Sequence, residues 1–91
     1  MSSKILIIED EFAIREMLTF VLEQNGYSVI AKESYNDAQQ ALLHESPALI
    51  ILDWMLPNMS GIQIAKKLKQ SDSHKSTPII MLTAKSEEDD K

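Results

Sequence analysis

Leu49-Ile50-Ile51-Leu52-Asp53 is a run of four aliphatic residues closed by a carboxylate. The same design occurs twice more: Ile5-Leu6-Ile7-Ile8 ends on Glu9-Asp10, and Ile79-Ile80-Met81-Leu82 ends on Thr83. Short, unbroken apolar runs separated by helical patterns are the mark of parallel strands buried on both faces. Open α/β sheets bind ligands outside the carboxyl ends of such strands, so three acidic side chains and a hydroxyl are expected at one rim. Neighbouring strands lie about 4.8 Å apart, close enough for Glu9, Asp10 and Asp53 to reach a common point. Carboxylates held that close repel one another, and a hard cation with oxygen ligands, Mg²⁺ above all, relieves the repulsion.

Between the runs the pattern alternates regularly. Ile14, Met17, Leu18, Val21 and Leu22 fall at helical spacing, which predicts a helix from about Phe12 to Gln24, ended at Asn25-Gly26 and burying that stripe. Phe12 and Phe20 fall at the edge of the stripe. Tyr27 to Ala31 reads as a weaker strand. Ser34 or Asn36 can cap a second helix that buries Ala38, Ala41 and Leu42 and stops before Pro47. Leu56 to Gly61 reads as a loop, with Ser60 capping a third helix that carries Ile62, Ile64, Ala65 and Leu68 inward and Lys66, Lys67 and Lys69 outward. Pro78 opens the fourth strand, and Ser86-Glu87-Glu88-Asp89 reads as a capped helix start. Trp54 points away from Asp53 by strand alternation and is expected to pack, while His44 and His74, in polar surroundings, are expected on the surface.

Composition narrows the function classes. A 91-residue chain with net charge −5 and ordinary apolar content fits one small domain, and its acidity argues against direct nucleic-acid binding by this segment. The first apolar stretch is cut short by Glu9, Asp10 and Glu11, so neither a signal peptide nor a membrane span is expected and a cytoplasmic location is the default. With no cysteine, disulfides and thiolate metal sites are excluded.

Ile8-Glu9-Asp10, Asp53 followed by Leu56-Pro57 and Ser60-Gly61, and Leu82-Thr83-Ala84 stand in an order and spacing that resembles the receiver domain of bacterial two-component response regulators, over the whole chain. The resemblance implies a flavodoxin-like (CheY-like) α/β fold, a doubly wound parallel sheet of order 2-1-3-4-5. It implies that Asp53 is the phosphoacceptor, that Glu9, Asp10, Asp53 and the main-chain carbonyl of Met55 hold Mg²⁺, and that Thr83 and the Ala84 amide contact the phosphoryl group, Thr83 acting as the switch. The implied partners are a sensor histidine kinase and, in the full-length protein, a DNA-binding effector domain. The implied role is that of a phosphoacceptor in transcription control, not of a turnover enzyme.

The chain departs from the family pattern at its end. The fifth strand and helix, a phosphoryl-contacting lysine and an aromatic switch residue have no counterpart, so 1–91 is expected to be a C-terminally incomplete receiver without the effector domain. An exposed fourth strand is then expected to favour a homodimer or element exchange with a second copy.

Two other readings of the residues are weaker. An aspartyl-nucleophile hydrolase usually carries an acid two positions after the nucleophile, where this chain has Met55. A flavodoxin-like cofactor binder would want Ser, Thr and Gly after the first strand, where Glu9-Asp10-Glu11 would repel a phosphate. A receiver-like interaction module that is never phosphorylated stays open.

Overall fold

The computed structural model describes residues 3–56 and 59–82. Its elements are β1 (Lys4–Ile8), α1 (Phe12–Gln24), β2 (Ser28–Lys32), α2 (Tyr35–Leu42), β3 (Leu49–Asp53), α3 (Gly61–Gln70) and β4 (Ile79–Leu82). All strand pairs are parallel, in the order β2-β1-β3-β4. Ile8 stands opposite Lys32 on one side and Leu52 on the other, and Asp53 stands opposite Leu82. The carboxyl ends of β1 and β3 are thereby level.

Right-handed crossovers dictate which face each helix covers. The chain moves from β1 outward to β2 and then back past β1 to β3, so α1 lies on one face while α2 and α3 lie on the other. Leu6, Ile8, Ile50 and Leu52 pack with Ala38 of α2 and with Ile64 and Leu68 of α3. Ile5, Ile7 and Ile51, on alternate positions, pack with Leu18 and Leu22 of α1. Burying such an aliphatic side chain is worth about 1.5–3 kcal/mol, so the two central strands supply most of the folding drive.

Helix starts follow their caps. Ser34 accepts the Asp37 amide at 3.2 Å, and Ser60 with Gln63 forms a reciprocal capping box that opens α3. Gly26, at φ 90°, supplies the left-handed turn after α1.

Several expectations need correction. β2 is shifted one residue, to Ser28–Lys32. α1 has no buried residue: Leu18 and Leu22 touch the sheet, but Met17 and Val21 are 55% and 49% exposed, because only one line of this helix meets β1 and β3. Ile62 is likewise exposed, lining an apolar groove of about 490 Å³ with Ala65, Lys66, Lys69 and Met81. Trp54 is half-exposed rather than packed. His74 is buried, not a surface residue, because the Ser71–Thr77 turn closes on its backbone: its amide donates to the Ser71 carbonyl and its carbonyl accepts the Thr77 amide. The helix expected from Ser86 lies outside the described residues. No helix among the described residues is long and apolar enough to cross a membrane.

Candidate functional site

β1 and β3 do not stop being buried where they stop being apolar. Glu9, one residue past β1, is 1% exposed, and Asp53, the last residue of β3, is 3% exposed. Asp10 is exposed beside them. Glu9, Asp10 and Asp53 each offer a carboxylate oxygen, and these oxygens lie within 4.8 Å of one another. The acidic rim expected from the strand ends is present, with all three carboxylates in it.

The backbone around each acid is fixed. The Glu9 amide donates to the Lys32 carbonyl at 3.0 Å, prolonging the β1–β2 ladder by one rung. The chain then turns, and the Glu11 amide donates to the Glu9 carboxylate at 2.9 Å. On β3 the Trp54 amide donates to the Leu82 carbonyl at 3.1 Å, and the Met55 amide donates to Asp53 Oδ1 at 3.2 Å. Beyond it the loop folds back: Met55 bridges Ser60, and the Gly61 amide donates to the Trp54 carbonyl at 2.7 Å. A Cβ at residue 61 would stand 2.6 Å from the Asp53 carbonyl oxygen, so only glycine lets the start of α3 approach the back of Asp53.

The electrostatics are those of an uncompensated anion cluster. Burial pushes the Glu9 carboxyl up to about 7, the neighbouring Asp53 and Asp10 charges add to the rise, and the Glu11 amide partly opposes it. Among the described residues the ion pairs are Lys4–Glu45, with Lys4 at the other end of β1 from Glu9, and Lys75–Asp72, and neither involves Glu9, Asp10 or Asp53. Buried carboxylates normally have a paired charge or a metal. Three convergent carboxylate oxygens that form no ion pair with a cationic side chain among the described residues fit a small, hard divalent cation, whose usual partners are a few carboxylates, a carbonyl and water.

Thr83 and Ala84, expected to complete the rim from β4, lie outside the described residues, as does Pro57. Met55, whose carbonyl was expected to help hold the cation, sits on the same turn as Asp53. Sequence reading missed Arg15. Its guanidinium Nη1 donates to the Glu9 carbonyl at 2.9 Å, and the signal available was a cation in the first turns of α1, where the helix dipole does not favour one.

Known proteins share both the sequence and the fold. Residues 5–91 match the family described as the response regulator receiver domain. The phosphate regulon transcriptional regulatory protein PhoB of Escherichia coli is 50% identical over 91 residues, all of this chain and 40% of the relative. The transcriptional regulatory protein SrrA of Staphylococcus aureus is 46% identical over 88 residues, 97% of this chain and 35% of the relative. The chain therefore spans about 40% or less of the length of these relatives. The chemotaxis response regulator CheY4 of Vibrio cholerae superposes with TM-score 0.88 at 29% identity, over 96% of this chain and 72% of that one. The response regulator TrrA of Thermotoga maritima, solved in complex with Mg²⁺-BeF, superposes with TM-score 0.83 at 33% identity, over 92% of this chain and 71% of that one.

Proposed function

The chain belongs to the response regulator receiver domain family, and we propose that it works by accepting a phosphoryl group on Asp53 from a sensor histidine kinase, with Mg²⁺ held in the acidic pocket. The observation that supports this most is the burial of Glu9 and Asp53 at level strand ends with no cationic side chain paired to them among the described residues.

Glu9, Asp10, Asp53 and the Met55 carbonyl are the groups that would hold the cation. Bound there, Mg²⁺ supplies positive charge that lets an anionic phosphoryl donor approach a carboxylate. Asp53 is the nucleophile: one carboxylate oxygen forms the O–P bond as the P–N bond of the phosphohistidine breaks, the P–N electron pair stays on the ring nitrogen, and the ring, protonated beforehand on its other nitrogen, leaves as neutral imidazole while Asp53 becomes an acyl phosphate. The Met55 amide, already aimed at Asp53 Oδ1, orients the carboxylate so that its other oxygen is free to attack. Thr83 and the Ala84 amide are proposed to contact the transferred group and relay its presence.

The relatives are named as transcriptional regulators. In a protein of their length, phosphorylation of this domain would govern a DNA-binding effector domain in the cytoplasm, with phosphate limitation the leading candidate signal. The receiver itself is a signalling module rather than a turnover enzyme.

Incubation with acetyl phosphate and Mg²⁺, followed by intact-mass and peptide mass spectrometry, tests the assignment. Wild type should gain one phosphoryl group on the peptide carrying Asp53, and Asp53→Asn, which keeps the shape and loses the nucleophile, should gain none. Uptake by Asp53→Asn at the wild-type rate would move the acceptor elsewhere.

A further inference from the structure

Arg15 is a cation four positions into α1, where the helix dipole offers it nothing, and it forms no ion pair with Glu9, Asp10 or Asp53. Its bonds go to the backbone instead. Nη1 donates to the Glu9 carbonyl at 2.9 Å, while the Arg15 amide closes on the Glu11 carbonyl at 3.0 Å. The amide bond is the first i→i−4 bond of α1 and would form with any residue here, so what Arg15 itself adds is the guanidinium, which ties α1 to the start of the turn Glu9-Asp10-Glu11, the turn that carries two of the three pocket carboxylates. The Glu11 amide completes the brace from inside, donating to the Glu9 carboxylate at 2.9 Å. Arg15 is itself steadied: its guanidinium lies over the Phe12 ring, 5.5 Å from the centroid, and Thr19 Oγ1 donates to its carbonyl at 2.8 Å. Phe12 stays 66% exposed, so its placement beside Arg15 is not explained by core packing.

We propose that Arg15 is a positioning residue for the acidic pocket, holding the Glu9–Glu11 turn so that Glu9 and Asp10 present their carboxylates together with Asp53. The proposal rests on the reading of that pocket as a divalent-cation site. Charge and positioning make opposite demands, which gives the test its sign. A guanidinium bonded to the Glu9 carbonyl puts positive charge beside the turn that carries two of the carboxylates, so if charge were its main effect, removing it would tighten Mg²⁺ binding. If it acts by holding the turn, removing it weakens binding.

The experiment titrates Mg²⁺ into the 91-residue chain and its Arg15→Met and Arg15→Lys variants, read by Trp54 fluorescence, with the Glu11 amide resonance followed by NMR. Arg15→Met should raise the apparent Kd about tenfold, the low end of the range for residues that orient metal ligands. Arg15→Lys, which keeps one donor for the Glu9 carbonyl, should recover part of that loss. The Glu11 amide should shift in Arg15→Met and move less in Arg15→Lys. Unchanged or tighter Mg²⁺ binding by Arg15→Met overturns the proposal. A wild-type chain with no saturable Mg²⁺ response overturns the cation reading of the pocket instead, and the Glu11 amide then decides on Arg15: a resonance unmoved in Arg15→Met overturns its positioning role, and a shift largely restored in Arg15→Lys supports it.

Discussion

The two faces of the sheet and its carboxyl edge are built from the same two strands and are equally dry, yet they contribute to stability with opposite sign. Along β1 and β3, Ile5 to Ile8 and Ile50 to Leu52 are at most 7% exposed, and every one is aliphatic. One residue farther on, Glu9 and Asp53 are 1% and 3% exposed and ionisable. Burial of the first set drives folding, whereas burial of the second set opposes it unless a cation arrives. Aliphatic side chains at the edge would serve the fold better, so its chemistry fits the proposed cation site and not a folding role.

The sharpest way to break the comparison is to cut into each region and measure stability by urea unfolding. On the covered face, Ile64→Ala removes a side chain that is 0% exposed and packed between α3 and the sheet. It should cost about 2–5 kcal/mol, the usual range for large-to-small changes in a core. A cost under about 1 kcal/mol would mean that this face is not the stable core described.

At the edge the sign reverses. The folded Glu9 carboxyl holds its proton up to about 7, against 4.5 when unperturbed. Between those values the folded state binds more protons than the unfolded chain, so without Mg²⁺ stability should fall as pH rises from about 4.5 through about 7 and then level off. Glu9→Gln should flatten that slope and leave the Mg²⁺-free chain more stable at pH 8, by on the order of 1–3 kcal/mol. A variant less stable than wild type at pH 8 would show that Glu9 is there for the fold.

Much of this contrast was legible in the residues. The unbroken runs at Ile5 and Leu49 announced strands covered on both sides, and their closing residues Glu9, Asp10 and Asp53 announced the rim; the run at Ile79 announced a strand but not its cover, since Ile80 is 50% exposed. The cap at Ser60 was legible because a hydroxyl before a helical stripe has a local partner to find, while the cap of α2 was narrowed only to Ser34 or Asn36, of which the structure uses Ser34. What the pattern could not give was the extent of cover. Met17, Val21 and Ile62 are spaced as core residues but stay exposed, because periodicity reports which side of a helix is apolar and not what lies against it. His74 failed in the opposite direction: its neighbours are polar, and only the fold of its turn buries it. Arg15 and Gly61 act through backbone carbonyls, at Glu9 and Asp53, and contacts to main chain leave little trace in a sequence.

The smallest effect is also the most direct test of the central claim, that the carboxyl edge is an anion cluster suited to a divalent cation. Thermal melts of wild type and Asp53→Asn at pH 8, with MgCl₂ or with NaCl at matched ionic strength, read it in one experiment. Mg²⁺ at ten times its Kd should stabilise wild type by about 1.4 kcal/mol. For a chain of this size that is roughly 5–10 °C in Tm. Asp53→Asn should melt higher than wild type in NaCl and gain little from Mg²⁺. A wild-type melt indifferent to Mg²⁺, or an equal gain in both proteins, would contradict the account.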